Sequence, residues 1–199
     1  MSRRVSRDDA WTLLTEWVRS PSLRRHCQAV ATGMAAYAER QGEDVEVWAV
    51  TGLLHDMDYE RHPDMDAPDG HPRTALRVLE ELDYPPEVVR AIASHAEFMG
   101  VPRETPMEKT LAAVDELSGF LVACAAVRPE GIRGLTPKSV KKKLKQPSFA
   151  AAVDRDEIRR NVEALGVELD EHIRILVAAL EARADELELT GRAGSASAA

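Results

Sequence analysis

The sequence predicts an all-α fold, in which helices form a bundle around an apolar core. Apolar residues recur at steps of three and four positions, which is the pattern of one face of an α-helix. No segment shows the sustained alternation of apolar and polar residues that marks a half-buried strand, and β-branched residues are scattered. The clearest helical series are Leu23, His26, Val30, Met34 and Tyr37, and Leu169, Ile173, Leu176, Leu180, Ala184 and Leu187.

This periodicity defines the elements in chain order, and polar or Gly/Pro-rich segments separate them. Side-chain oxygens that can accept free amide protons are expected as N-caps at Ser22, Thr136 and Asp154. Glycines that can adopt left-handed backbone are expected to end helices at Gly42, Gly100 and Gly166. The predicted helices are 8–18, 22–41, 44–57, 72–82, 86–98, 107–127, 137–145, 154–165 and 168–188.

The chain has the length and composition of a single globular domain, with 199 residues, 44% hydrophobic and 30% charged. We expect the domain to cover residues 1–190, and residues 191–199 to form a disordered tail. The longest apolar run, Phe120–Val127, is far shorter than the roughly 20 residues of a membrane-spanning helix. The N-terminus lacks an apolar signal segment and the two cysteines lie far apart, so we expect a cytoplasmic protein without a membrane partner.

The formal net charge of -8 argues against a protein whose whole surface binds nucleic acid. A local basic patch leaves that partner open, because Lys138, Lys141, Lys142 and Lys145 fall on one side of the predicted helix 137–145. This side could be an ordinary solvated surface, or it could attract a phosphorylated substrate.

Polar residues interrupt several apolar helical stripes, where they would face the core. His26, His95 and Asp115 each lie between apolar residues of a stripe, and His71 heads another. A carboxylate that faces the core is costly unless it is paired or bound to a cation. Imidazole and carboxylate groups that converge from different helices form the metal sites of helical bundles. The pattern therefore indicates a divalent cation, with a buried hydrogen-bonded network as the alternative.

The adjacent pair His55–Asp56 follows the apolar run WAVTGLL and precedes a polar, loop-like segment. Neighbouring side chains on a helix point about 100° apart, so both can reach one centre only near a helix end or a distortion. We therefore expect this pair at the C-terminal end of a helix.

The order of these residues resembles the H…HD…D signature of the HD-domain metal-dependent phosphohydrolase superfamily, over about residues 20–125. Two further histidines lie where two-metal members of that family place theirs. The sequence departs from the HDIG form of the motif, since it reads HDMD, and it has no GYP-type motif, which argues against a cyclic-di-GMP phosphodiesterase. The residues that carry the resemblance are His26, His55 and Asp56 within GLLHDMDYE, His71, His95, and Asp115 within AVDELSG.

The resemblance implies an all-α HD-domain helical bundle with extra C-terminal helices. It implies that His26, His55, Asp56 and Asp115 bind one divalent metal, and Asp56 is the candidate to bridge to a second. His71 and His95 would bind that second ion, contact phosphate, or protonate the leaving oxygen. Histidine and carboxylate ligands suit Fe, Mn, Co, Ni and Zn, and Mg stays open.

The resemblance also implies hydrolysis of a phosphomonoester or phosphodiester, such as that of a nucleotide, by a metal-activated water. The alternative is a non-catalytic module, stabilised by metal, that binds a nucleotide or a protein. Guanidinium and ammonium groups could contact substrate phosphate. The candidates are Arg24, Arg25, Arg73, Lys138 and Lys142. The substrate, the physiological metal and the oligomeric state stay open.

Four further polar residues lie outside the set that carries the resemblance. Asp58 and Glu60 follow the HD pair closely, and they either reach a metal-bound water or lie exposed in a loop. His62 lies in a polar loop, and His172 lies beside Glu171. We expect both of these histidines to be exposed to solvent.

Overall fold

A computed structural model describes residues 5–191. Within that range the regular elements are all helices, and there is no strand. The all-α prediction is therefore confirmed. Apart from Gly191, the predicted disordered tail lies outside the described residues. The helices are α1 Arg7–Trp17, α2 Pro21–Gln41, α3 Val45–Leu54, α4 Arg73–Glu81, α5 Pro86–His95, α6 Pro106–Ala126, α7 Pro137–Leu144, α8 Arg155–Leu165 and α9 Leu169–Ala182.

Side-chain caps fix most helix starts. Thr136 and Asp154 accept amide protons at the starts of α7 and α8, as predicted. The predicted cap at Ser22 is wrong, because the hydroxyl of Ser20 accepts the amide proton of Leu23 instead. Pro21 then occupies the first helical position, where a missing amide proton costs nothing.

Two of the three predicted glycine stops are confirmed. Gly42 and Gly166 end α2 and α8 in left-handed backbone, with φ of 72° and 76°. Gly100 instead follows a short 3₁₀ turn at Glu97–Met99, which succeeds α5. The predicted helix 86–98 is therefore too long, and α5 ends at His95.

The first compact unit comprises Met1–Ala112. Within it, α3 packs against α1, α2 and α5, and α4 packs against α5. Its core contains completely buried side chains from all five helices. They include Leu14, Cys27, Val50, Leu54, Leu79 and Ile92.

The contact between α2 and α3 is unusually close. A Cβ atom added to Gly52 would lie 2.9 Å from the Cα and main-chain nitrogen of Ala31. No side chain fits at that distance, so the two backbones lie closer together than any other residue would allow. The first of these helices carries His26, and His55 directly follows the second.

The second compact unit begins at Ala113, so the boundary falls inside α6, and its described residues are 113–191. Within it, α7 and α8 each contact α9. The expectation that His172 is exposed is wrong, because its side chain on α9 is completely buried. The prediction of a single domain over residues 1–190 stays a prediction. None of the helices between residues 5 and 191 has the length and apolar character needed to cross a bilayer.

Candidate metal centre

Five of the six residues that carry the resemblance lie in the first unit, and their side chains converge. His26 belongs to α2, His55 follows the last residue of α3, and Asp56 comes next. His71 precedes α4, and His95 is the last residue of α5. The HD pair thus lies at a helix end, as the sequence predicts.

Asp56 lies at the centre of the four imidazoles, and its two oxygens face different pairs. Its Oδ2 is 3.7 Å from Nε2 of His26 and 3.5 Å from Nε2 of His55. Its Oδ1 is 3.4 Å from Nε2 of His71 and 3.7 Å from Nε2 of His95. One carboxylate therefore joins two sets of nitrogen donors.

Hydrogen bonds at Nδ1 orient three of these rings. His55 donates from Nδ1 to the carbonyl oxygen of Gly52 over 2.8 Å, and His95 donates likewise to Ile92. His71 donates from Nδ1 to Oδ1 of Asp58 over 2.7 Å. With the proton on Nδ1, the lone pair of a neutral imidazole lies on Nε2, which is the nitrogen facing Asp56.

The geometry is compatible with bound metal ions. Nε2 of His26 lies 3.3 Å from Nε2 of His55. Two nitrogens at about 2.0–2.1 Å from one tetrahedral ion are separated by about 3.3 Å. Asp56, His71 and His95 each offer a ligand atom, and these atoms all lie within 4.8 Å of one another. The donor set of imidazole nitrogens and a carboxylate suits a divalent transition metal.

Asp115 lies on α6, in the part of that helix that belongs to the second unit. It is partly buried. Its assignment as a metal ligand rests on the sequence motif and stays a prediction. The ligand roles of the five converging residues also stay predictions, although the geometry brings their donor atoms together.

The arginines predicted to contact phosphate have other partners. Arg24 donates to the carbonyl oxygens of Val18 and Thr15 over 2.7 and 2.9 Å, so it holds the C-terminal end of α1. Arg73 donates to the carbonyl oxygen of Met65 over 2.6 Å and lies over the ring of Phe98. These bonds stabilise loops and helix ends, and they do not support a phosphate role for either residue.

The remaining phosphate candidates lie on α2 and α7. Arg25 follows Arg24 on α2 and is partly buried. Lys138 and Lys142 are exposed on α7 in the second unit. Their roles stay predictions.

The two carboxylates that follow the HD pair, Asp58 and Glu60, have different surroundings and different partners. Asp58 is completely buried, so it is not an exposed loop residue. Its Oδ1 accepts from His71, and its Oδ2 accepts the amide proton of Ala75 over 2.7 Å. The only signal for it in the sequence is the departure of HDMD from the HDIG form.

Glu60 is exposed and accepts two amide protons at the start of α2. Its Oε2 is 2.8 Å from the nitrogen of Arg19 and 2.9 Å from that of Ser20. It therefore caps a helix, and the interpretation that it reaches a metal-bound water is not supported.

The comparison with known families agrees with this arrangement. Residues 23–119 match the family model for the HD domain, and the match includes all six motif residues. No curated protein and no solved structure shows a significant match. Residues 23–119, which bring four histidines around Asp56, are thus assigned to the HD domain by this match.

Proposed function

We propose that the protein is a metal-dependent phosphohydrolase that cleaves a phosphomonoester or a phosphodiester, such as that of a nucleotide. The observation that carries the proposal is the division of the Asp56 carboxylate between two pairs of imidazoles. A carboxylate in that position can bridge two cations, which is how two-metal hydrolytic sites hold ions about 3.5–4 Å apart. The match of residues 23–119 to the HD domain supports the same reaction class.

His26 and His55 would hold the first ion, with Asp115 as the further ligand that the sequence motif implies. His71 and His95 would hold the second, and Asp56 would contact both. Ions bound there supply Lewis-acid polarisation of phosphate and a nucleophile from water at neutral pH. Fe, Mn, Co, Ni and Zn all suit these ligands, and Mg is tested beside them.

The protein's own groups determine what else happens at the site. Asp56 is only partly buried, with 16% of its side chain exposed, so a substrate phosphate can approach it from solvent. If only one ion binds, His71 and His95 are left as groups that could protonate the leaving oxygen. The buried Nδ1 hydrogen bonds keep both rings directed at the centre in either case.

The test combines metal content with hydrolysis. The protein is loaded separately with Mn²⁺, Ni²⁺, Co²⁺, Zn²⁺, Fe²⁺ or Mg²⁺. It is then assayed for phosphate release from nucleotides and for cleavage of an aryl phosphate monoester and diester. We expect Asp56→Ala to remove metal binding and hydrolysis while the helical circular dichroism is retained. His62→Ala is the matched control, because His62 is a histidine of the same unit that contacts Asp69 instead.

Three further variants test the number of ions. His71→Ala and His95→Ala should each reduce the metal content from two towards one and lower activity, whereas His26→Ala should damage the first site. Full activity and unchanged metal content in Asp56→Ala would overturn the proposal. Saturation of the parent at one ion, unaffected by loss of His71 or His95, would leave a mononuclear site. Metal binding without turnover of any substrate would favour the non-catalytic binding module.

A further inference from the structure

We propose that Asp58 is the positioning residue for His71. It keeps the imidazole proton on Nδ1, so that Nε2 is free to bind the ion that His71 and His95 share. The inference deepens the proposed function and rests on it for the identity of the site, although the proton position can be measured without any metal.

The first support is the burial of an ionisable group with very few partners. The side chain of Asp58 is 0% exposed. Its two oxygens each accept one bond of 2.7 Å, from Nδ1 of His71 and from the amide of Ala75. A buried carboxylate is costly without such partners, so its place here needs a reason.

The second support is the direction of the His71 ring. A carboxylate only accepts hydrogen bonds, so the nitrogen that faces Asp58 must carry a proton. In a neutral imidazole, Nε2 then has the lone pair, and Nε2 lies 3.4 Å from Oδ1 of Asp56. A carboxylate behind a metal-binding histidine is a common arrangement that fixes both the tautomer and the ring orientation.

Asp58 also has a structural role, which the test must separate from positioning. The residue before α4 is Pro72, whose side chain makes no capping bond. Ala75 lies in the first turn of α4, so Asp58 supplies the missing cap from another part of the chain. A residue that only capped α4 would change stability and leave the proton of His71 in place.

The substitution Asp58→Asn distinguishes these roles, because asparagine has nearly the same shape as aspartate and only one acceptor oxygen. The amide of Ala75 can only donate, so the side-chain oxygen of the introduced asparagine is expected to keep the cap. Its NH₂ group then faces His71, and Nδ1 must become an acceptor. This moves the proton of the neutral imidazole to Nε2, where it blocks the metal-binding lone pair.

The experiment compares the parent, Asp58→Asn and Thr74→Val. Thr74 is a matched control, because its buried hydroxyl donates to the carbonyl oxygen of Asp69 at the same helix start without contacting His71. ¹⁵N NMR of the histidine rings in metal-free protein, at pH 8.5, reports which nitrogen carries the proton. Calorimetric titration with Mn²⁺ reports the affinity for each ion, and urea unfolding reports stability.

We expect the proton of His71 on Nδ1 in the parent and in Thr74→Val, and on Nε2 in Asp58→Asn. The second Mn²⁺ should bind about 10–100-fold more weakly to Asp58→Asn. The affinity for the first ion should change much less, and Thr74→Val should lower stability while keeping both affinities.

A proton on Nε2 in the metal-free parent would overturn the inference, whether or not the variant folds. It would also be overturned if Asp58→Asn left the proton on Nδ1, or if Thr74→Val weakened the second ion equally. Failure of the parent to bind metal would refute the proposed function. A tautomer that still inverted in Asp58→Asn would then support the positioning role alone.

Discussion

His172 on α9 donates a hydrogen bond from Nε2 to the carbonyl oxygen of Ala113 on α6, over 2.9 Å. Burial of the ring lowers the pKa of His172 from 6.5 to about 4, although the hydrogen bond to Ala113 acts in the opposite direction. The native protein therefore holds this imidazole neutral, and it becomes charged readily only on unfolding.

This predicts a loss of stability as the pH falls from about 6.5 towards 4. In that window the unfolded chain binds a proton at His172 that the native protein does not bind, so acid favours unfolding. The full effect is about 3 kcal/mol, since one pKa unit corresponds to about 1.4 kcal/mol. His172→Gln should remove that slope from urea unfolding measured between pH 4 and 7. Equal slopes for parent and variant would show that His172 does not titrate in this window.

Glu60 predicts a second pH effect, at lower pH. The amide of Ser20, with that of Arg19, outweighs desolvation and lowers the pKa of Glu60 below its ordinary 4.5. A carboxylate with a lowered pKa stabilises the native state above its unfolded pKa, and this is lost as the pH falls through the native value. We expect Glu60→Gln to lower the thermal midpoint at pH 7 but not at pH 2. Glu163→Gln, at an exposed position of α8, controls for the charge, and an equal effect there would contradict the capping role.

The thiol of Cys124 is expected to react slowly. Burial raises its pKa from 9.0 to about 11, despite the opposing charges of Lys143 and Arg128. At pH 8 this lowers the thiolate fraction about a hundredfold, and the thiolate is the reactive form. Cys27 is also completely buried. Disulfide-exchange labelling should therefore be slow for both thiols in native protein and fast in 6 M guanidinium. Fast labelling of native protein would show that the structure around these two thiols opens readily.

Two lysines on α7 and one directly after it test the predicted attraction of an anionic substrate. Lys138, Lys142 and Lys145 are exposed and lie at helical spacing on one side. If they attract substrate, changing all three to Gln should lower kcat/KM, and more at low salt than at high salt. Lys141→Gln is the control on the same helix, because its Nζ lies 2.7 Å from Asp170. An unchanged salt profile would identify the stripe as an ordinary solvated surface.

The sequence predicts the helices and the convergence of the four histidines on Asp56 well, because both follow from local patterns. Periodicity places all helix ends but one within three residues, and the exception is the predicted helix 168–188, because α9 already ends at Ala182. The end of α3 at Leu54, which leaves His55 and Asp56 directly after the helix, is indicated by the polar segment that follows. The sequence order of the histidines was sufficient to select those that converge on Asp56.

The partners of single polar groups could not be predicted, because they are set by tertiary contacts. Asp58 meets His71 across 13 positions, and His172 meets Ala113 across 59. Arg24 looked like a phosphate contact because it lies near His26, but its guanidinium faces the carbonyl oxygens of α1. Side-chain direction decides each of these cases, and periodicity does not report it.

The close contact at Gly52 allows selection to act separately on two properties, the heat tolerance of the protein and the spacing of its metal donors. His26 lies on one of the two helices whose backbones meet there, and His55 directly follows the other. The carbonyl oxygen of Gly52 also orients the ring of His55. The distance between the imidazoles of His26 and His55 is thus set by a main-chain contact more than by the size of the surrounding side chains. Core residues such as Leu54 and Met57 can exchange with others of similar volume, and heat tolerance can change, while the donor spacing persists. Replacement of Gly52 by any larger residue would alter both properties together.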